Sequence, residues 1–263
     1  TSFRIGGPAD VLVEPADAEE LTGRLGYDRR GTGTLLAVLA DLGYLKQDGE
    51  GRYRLGETAL PLADESNPDY CANAILHSRN MMERWLALPE VVRSGEQRPR
   101  KQTPERRRVF IGSMDDLSRG AAPEIGARCL ERLPAQGRIL DLGGGPGTYA
   151  RLFAEAGCRV TMLDQPDVVE MVAPGLSGYP QIEMVSGDFN QSLPAGPFDM
   201  VLLGNISHIY GPEENRELVK RVAGVLGPGG SVAIIDMLRG HSRRAALFAI
   251  NMLISTPTGG TWT

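Results

Sequence analysis

Residues 138–147 join an apolar strand to a glycine-rich turn that leaves the backbone open to a ligand. Four glycines, at positions 143, 144, 145 and 147, follow the strand directly. Glycine has no Cβ, so a ligand can lie against the backbone of such a turn. A helix predicted to begin near Tyr149 points its first amide groups toward the same place. This stretch predicts the binding site of a nucleotide-like ligand.

An acidic residue follows at the spacing that a nucleotide site requires. Asp164 lies 21 residues beyond Gly143 and ends a second apolar strand. At this distance a carboxylate can bind the ribose hydroxyls in a doubly wound sheet. The alternative role for Asp164 is to cap the helix that begins near Pro166. The glycines follow the pattern G-x-G-x-G, which differs from the G-x-G-x-x-G of dinucleotide-binding proteins.

Two further polar residues follow predicted strands. His208 lies just past the fourth strand, and Asp236 ends the fifth. Ligands of open parallel sheets bind at the carboxyl ends of the strands, so both residues are expected at the same edge as the glycine-rich turn.

The second half of the chain alternates between strands and helices, which predicts an α/β fold with a parallel sheet covered on both faces. The expected strands are 138–142, 159–163, 182–185, 198–204 and 231–236, and the expected helices are 147–156, 166–173 and 213–226. The run 225–230 is expected to end a helix and turn into the last strand.

The first part of the chain predicts a winged helix. Asp17 and Asp28 are positioned to cap two helices, the first ending at Gly26 and the second at Gly43, and residues 44–55 form an alternating hairpin. Residues 1–66 carry 7 Lys and Arg against 12 Asp and Glu. DNA binding depends on basic residues that neutralise phosphates, so this acidic module is expected to mediate dimerisation instead.

Helical segments and a linker are expected between these two parts. Residues 70–95 are predicted to be helical, residues 93–108 form a basic linker, and helices are expected around 105–119 and 123–132. We divide the chain into domains 1–100 and 101–263.

The composition excludes several classes of protein. The 263 residues carry a net charge of −5 and 41% hydrophobic residues, which is typical of a chain with a real core and no broad nucleic-acid surface. The three cysteines are widely spaced and show no metal-binding pattern. No apolar run approaches the length of a membrane span. We expect a cytoplasmic protein without a bound metal.

Five segments in order resemble the winged-helix small-molecule O-methyltransferases, the group that holds plant caffeic acid methyltransferases and bacterial polyketide and antibiotic methyltransferases. The matching segments are 141–147, 164–169, 187–189, 205–210, and the segment after the fifth strand at 251–253 and 259–260. The resemblance implies a Rossmann-like domain that binds S-adenosylmethionine and forms S-adenosylhomocysteine. It also implies a winged-helix dimerisation domain before it, a homodimer and a small hydroxyl-bearing acceptor.

The resemblance also implies roles for individual residues. The glycines would lie against the methionine part of the cofactor, Asp164 would accept from the ribose hydroxyls, and Asp188 would accept from the adenine amino group. The complete predicted cofactor set is Gly143, Gly144, Gly145, Asp164, Gln165, Asp188, Phe189 and Asn205. Phe189 would cover the adenine ring. Asp188 has the alternative role of a turn residue.

The resemblance makes His208 the catalytic base and Asp236 its acidic partner. A phenol has a pKa of about 10 and an imidazole one of about 6.5, so prior deprotonation of the acceptor is costly. A histidine therefore helps most by taking the proton as the C–O bond forms. The alternatives are a pocket-lining role for His208 and a structural role for Asp236.

The sequence departs from the family pattern in two places. Ile209 and Tyr210 stand where plant members carry Asp-Trp after the histidine. The family also continues with a helix and two further strands beyond the last residue here. The expectation is a sheet that lacks its C-terminal strands and has an exposed edge at the fifth strand.

Other functions remain open from the sequence. One is a protein of the same fold that binds S-adenosylmethionine without methyl transfer, either as a regulator or in hydroxylase-like or decarboxylase-like chemistry. A winged-helix DNA-binding regulator is the other. Residues 2–15 resemble the opening of UDP-N-acetylenolpyruvoylglucosamine reductase, and we interpret this short likeness as chance.

Overall fold

The computed structural model describes residues 14–64, 67–97 and 103–263. It divides into two compact units between Ile75 and Leu76. The division into domains 1–100 and 101–263 stays a prediction. The reductase-like residues lie almost entirely outside the described part of the chain.

The first unit contains the predicted winged-helix elements. They are helices α1 (Ala18–Leu25) and α2 (Arg29–Asp41), strands β1 (Leu45–Gln47) and β2 (Tyr53–Leu55), a 3-10 turn (Glu57–Ala59) and helix α3 (Leu60–Ala63). Asp17 caps α1 by accepting hydrogen bonds from the backbone N–H groups of Glu19 and Glu20. Asp28 caps α2 through the N–H of Gly31. Leu21, Leu36, Leu45 and Tyr53 form a small core between these elements.

The helical segment predicted over 70–95 is two helices. They are α4 (Ala72–Trp85) and α5 (Leu88–Ser94). Pro89 lies in the first turn of α5, where its missing N–H costs no hydrogen bond, so the sequence favours a new helix start there. Two further helices are α6 (Pro104–Ser118) and α7 (Ala122–Leu130). The predicted linker therefore ends at Thr103, which caps α6.

The second unit contains the predicted five-stranded parallel sheet. Its strands are β3 (Arg138–Leu142), β4 (Arg159–Asp164), β5 (Ile182–Ser186), β6 (Phe198–Gly204) and β7 (Leu226–Ile235). Their order is β5-β4-β3-β6-β7, and every pair is parallel. The order reverses between β3 and β6, which opens a crevice at their carboxyl ends. The remaining elements are α8 (Thr148–Glu155), α9 (Pro166–Leu176), a 3-10 turn (Ser207–Ile209), α10 (Pro212–Val225) and α11 (Arg243–Ser255).

Both faces of the central strands of the sheet are buried. One face packs Ile139, Met162 and Leu202 against α8, and the other packs Leu140, Leu142 and Leu203 against α10. Side chains of a strand alternate between faces, so the two apolar clusters explain why the central strands are almost wholly apolar. This double burial fixes the positions of the strand ends that carry the site.

The last strand differs from the prediction at its start. β7 begins at Leu226, whereas the sequence placed a turn over 225–230. Leu226 pairs with Phe198 and Ser231 pairs with Met200, so the intervening glycine-rich residues form an irregularity in the ladder. Among the described strands β7 pairs only with β6, and it forms the edge of the sheet, as predicted.

Candidate active site

The sequence-predicted site residues lie at the carboxyl edge of the sheet. The turn at 143–147 follows β3, Asp164 ends β4 and Asp188 follows β5. His208 lies in the turn after β6, and Asp236 directly follows β7. The structure therefore brings together segments that are almost one hundred residues apart along the chain.

The glycines of the turn serve different physical purposes. A Cβ on Gly144 would lie 2.4 Å from Cγ of Met162, so this position has no room for a side chain. Gly145 has a φ of +54°, and a Cβ there would meet no heavy atom nearer than the carbonyl oxygen of Gly143, at 3.8 Å. The turn thus has one close-packed side and one open side of bare backbone, which is the side that a ligand can use.

Asp164 joins the turn to the end of β4. Its Oδ2 accepts a hydrogen bond from the Gly145 N–H at 2.8 Å, and its Oδ1 accepts one from the Gln165 N–H at 2.7 Å. Burial raises the pKa of Asp164, while these two amide hydrogen bonds oppose the rise. The alternative capping role is wrong, because Gln165 is the N-cap of α9 and no side chain caps that helix.

Asp141 is a second carboxyl group beneath the turn. It is only 2% exposed, and its Oδ2 has no hydrogen-bond partner among the described residues. Burial and the nearby charge of Asp164 raise the pKa of Asp141 to about 7. Two carboxyl groups beside an open turn of backbone amides fit a ligand that carries hydroxyl donors and a positive charge. S-adenosylmethionine has both features, so the residues fit the predicted cofactor.

The remaining predicted cofactor residues follow the carboxyl ends of β5 and β6. Asp188 acts as a turn residue, which is the alternative role given for it from the sequence. Its Oδ1 accepts a hydrogen bond from the Asn190 N–H at 2.8 Å. Phe189 is buried with its ring edge-on to Tyr210. Asn205 has a φ of +59°, and its N–H donates to the carbonyl of Ile235 at 2.8 Å. Their roles toward the cofactor stay predictions.

His208 and Asp236 form a buried pair. The imidazole Nδ1 lies 2.8 Å from Asp236 Oδ1, and the backbone N–H of His208 donates to Oδ2 at 3.0 Å. His208 is 8% exposed, and the ring of Phe248 from α11 lies perpendicular to the imidazole at a centroid distance of 4.8 Å. An ionised Asp236 accepts the Nδ1 hydrogen, which leaves the lone pair on Nε2. This arrangement can take a proton from a bound hydroxyl.

Two residues that the sequence did not indicate hold the turn of His208. The side-chain N–H groups of Asn215 and Trp262 each donate to the carbonyls of Ser207 and Tyr210, at 2.9–3.1 Å. The Gly260 N–H donates to the carbonyl of His208 itself. No local pattern predicts these contacts, because Trp262 lies 55 residues from Ser207 along the chain.

The comparison with protein families decides the class of the protein. A family model described as the O-methyltransferase domain matches residues 73–261. The chain belongs to this family. Membership confirms the predicted enzyme class, an O-methyltransferase dependent on S-adenosylmethionine.

Two of the curated relatives of this O-methyltransferase come from Streptomyces. The chain is 29% identical to the tetracenomycin polyketide synthesis 8-O-methyl transferase of Streptomyces glaucescens, over 95% of this chain and 78% of that protein. It is 30% identical to the 3-hydroxy-5-methyl-1-naphthoate 3-O-methyltransferase of Streptomyces sahachiroi, over 92% of this chain and 74% of that protein.

Solved structures agree with the fold. Human N-acetylserotonin methyltransferase in complex with SAM aligns with a TM-score of 0.85 at 24% identity, over 98% of this chain and 81% of that one. PigF with SAH aligns with a TM-score of 0.82 at 25% identity, over 97% of this chain and 82% of that one. The first comparison supports the predicted Rossmann-like architecture. No helix within the described ranges has the length and apolar character to cross a bilayer.

We predict that Asp141→Asn changes how the stability of the O-methyltransferase depends on pH. The folded chain keeps a proton on Asp141 up to a pKa of about 7, while the unfolded chain releases it near the ordinary value of 3.8. This carboxyl group therefore lowers the stability as the pH rises through that window. The free energy of unfolding of the variant minus that of the parent should grow by about 2–3 kcal/mol between pH 5 and pH 8.

Urea unfolding of both proteins across this range measures the difference. Asp199→Asn, which removes a carboxyl group at the amino end of β6, is the matched control. A constant difference between Asp141→Asn and the parent would mean that Asp141 is already ionised in the folded protein.

Proposed function

We propose that this O-methyltransferase transfers the methyl group of S-adenosylmethionine to a hydroxyl of a small aromatic molecule of the polyketide type. The observation that carries this proposal is the buried contact between the His208 imidazole and Asp236 at the edge of the glycine-rich turn. The substrate class is supported by the two Streptomyces relatives, whose names specify a polyketide pathway and a hydroxynaphthoate. S-adenosylhomocysteine is then the second product.

Different predicted cofactor residues would bind different parts of S-adenosylmethionine. The backbone of Gly143, Gly144 and Gly145 would hold its methionine part, and Asp164 would accept from the ribose hydroxyls. Asp188 and Phe189 would contact the adenine from the third strand end, and Gln165 and Asn205 would border the site. The cofactor supplies an electrophilic methyl group on a positively charged sulfur.

The chain's own residues would prepare the acceptor. His208 Nε2 takes the proton of the acceptor hydroxyl while the oxygen forms its new bond to carbon. Asp236 orients the imidazole and stabilises the positive charge that it gains. Phe248 and the burial of His208 keep water away from the pair, which strengthens the interaction between the two charges. Proximity of the two substrates contributes independently of the base.

We predict that Asp164→Ala weakens the binding of S-adenosylhomocysteine by about tenfold or more, since charge-assisted hydrogen bonds to ribose would be lost. Isothermal titration of the parent and the variant measures the change. Asp199→Ala removes a carboxylate from the opposite edge of the sheet and should bind like the parent. Equal binding by Asp164→Ala and the parent would contradict the assigned role.

We predict that His208→Ala lowers the rate of methyl transfer about 100-fold or more without changing the affinity for S-adenosylhomocysteine. The rate is measured with radiolabelled S-adenosylmethionine and a panel of phenols that includes 2-naphthol and 1,3-dihydroxynaphthalene. His241→Ala is the control, because His241 is exposed and lies in the loop after β7.

The outcomes separate the alternatives. An unchanged rate in His208→Ala would make proximity the main source of catalysis. Binding of S-adenosylhomocysteine by the parent without turnover of any phenol would favour a protein that binds the cofactor for regulation or for other chemistry. Salt-sensitive binding of duplex DNA would favour the alternative of a winged-helix DNA-binding regulator.

We also propose that the enzyme is a homodimer assembled through its first unit. Leu35 and Val38 on α2 and Leu42 at its C-cap are 45%, 47% and 63% exposed, and their spacing places them along one side of the helix. Exposed apolar side chains grouped in this way are typical of a protein interface. The winged-helix resemblance points to the same unit.

We predict that Val38→Glu shifts the enzyme from dimer to monomer, because a charge at the interface would be buried without a partner. Light scattering after size-exclusion chromatography measures the mass. Ala37→Glu adds the same charge to an exposed position on another side of α2 and should leave the dimer intact. A parent that is monomeric at micromolar concentration would rule out this assembly.

We further propose that the enzyme works in the cytoplasm, where thiols remain reduced. Cys129 and Cys158 are buried thiols that form no disulfide among the described residues. Burial raises the pKa of the Cys129 and Cys158 thiols, which keeps both uncharged and unreactive.

A further inference from the structure

The start of α8 receives little support from its own sequence. Gly147 is the N-cap of the helix and provides no side-chain hydrogen bond. Pro146 precedes it and has no N–H to donate. Three glycines with positive φ lie in the same turn, and such residues leave the backbone many alternative conformations. Contacts from outside the turn must therefore select the conformation that is found.

Asp115 from α6 contacts the start of α8 directly and reaches the turn before Gly147 through Arg151. Its Oδ1 accepts a hydrogen bond from the hydroxyl of Thr148, the first residue of α8, at 2.5 Å. The same oxygen lies 2.9 Å from a guanidinium nitrogen of Arg151. Arg151 in turn donates to the carbonyl of Pro146 at 3.0 Å. One carboxylate thus joins the end of the turn and the start of the helix to α6.

The charges in this cluster favour an ionised Asp115. Its Oδ2 lies 2.6 Å from a guanidinium nitrogen of Arg119, one turn further along α6. Burial alone would raise the pKa of Asp115, but the hydrogen bonds from Thr148 and Arg119 and the charge of Arg151 hold it below its usual value. Partly buried charge-assisted hydrogen bonds are stronger than exposed ion pairs, so the cluster can hold the turn in place.

We propose that Asp115 is a positioning residue for the cofactor site: it holds Thr148 directly and Pro146 through Arg151, so that the glycine-rich turn has its binding conformation before the cofactor arrives. Asp164 holds the opposite part of the turn through the Gly145 N–H. Preorganisation of this kind lowers the conformational cost of binding. This role rests on the proposed function of the turn as the S-adenosylmethionine site.

We predict that Asp115→Asn weakens the binding of S-adenosylhomocysteine by about tenfold. The amide keeps the size of the side chain and loses the charge that holds Arg151. Isothermal titration is performed at a temperature where circular dichroism shows the variant to be fully folded. Glu124→Gln is the matched control, because Glu124 forms the same i,i+4 ion pair with Arg128 on the next helix, at 2.8 Å. The control should bind like the parent.

Two variants of Thr148 test the same role without changing a charge. Thr148→Val removes the hydroxyl that Asp115 accepts from and should weaken binding, whereas Thr148→Ser keeps the hydroxyl and should restore it. A purely structural role would lower the melting temperature of Asp115→Asn and Thr148→Val and leave their affinity at the parent value. If Asp115→Asn does not fold, the Thr148 pair decides the question.

The outcomes distinguish this role from the proposed function. Normal affinity in folded Asp115→Asn, or in Thr148→Val where Asp115→Asn does not fold, would overturn the positioning role while the cofactor site stands. A folded parent that binds no S-adenosylhomocysteine would overturn the cofactor site and the positioning role together.

Discussion

The parallel pairing of β3 with β6 is the constraint on which the site depends. The chain builds β4 and β5 on one side of β3 and then returns to build β6 and β7 on the other. The loops that leave β3 and β6 therefore diverge and leave a crevice between them. The register of β6 and β7 also positions the site residues. Gly204 at the end of β6 pairs with Ile235 at the end of β7, so His208 and Asp236 follow neighbouring strand ends. A shift of one residue in this ladder would separate the pair.

The glycine-rich turn combines two opposing requirements. A ligand can lie directly against the backbone only where no side chain intervenes, and glycine provides this. Glycine, however, leaves the backbone dihedral angles largely unrestricted. The conformation is selected instead by neighbours, with Met162 filling the closed side and Asp164 bonded to Gly145. Asp115 adds support from a helix that precedes the sheet. The conformationally free glycines of the turn are thus surrounded by residues whose positions are fixed by packing and hydrogen bonds.

The acidic residues at the edge of the sheet differ in how well they are satisfied. Both oxygens of Asp236 accept hydrogen bonds from His208, and Oδ1 also accepts from the Met237 N–H. Asp141 is more deeply buried than Asp236 and leaves one oxygen without a partner among the described residues. A buried carboxyl group without partners favours the protonated form, so the two groups are suited to different tasks. Asp236, with both oxygens hydrogen-bonded, fixes the position of His208, whereas Asp141 remains able to respond to a charged ligand.

The sequence by itself determined the order and type of most elements and the edge of the sheet where the chemistry lies. Apolar runs, glycines and caps act over a few residues, and Asp17, Asp28 and the turn after β3 function locally as their patterns predict. The family pattern also predicted His208 and Asp236 as site residues, and the structure brings these two side chains into contact. Where local signals conflict, the prediction differed, as at the two-helix segment around Pro89 and at the start of β7.

Only the tertiary structure decided which distant residues hold the site in place. Asp115 and Asn215 contact the two candidate-site turns from separate helices, and Trp262 contacts the turn of His208 from the segment that follows α11. Their positions follow from how helices pack on a finished sheet, which no short pattern encodes. The unpartnered oxygen of Asp141 is likewise a property of the assembled interior, because burial and missing partners exist only once the surrounding elements have closed over it.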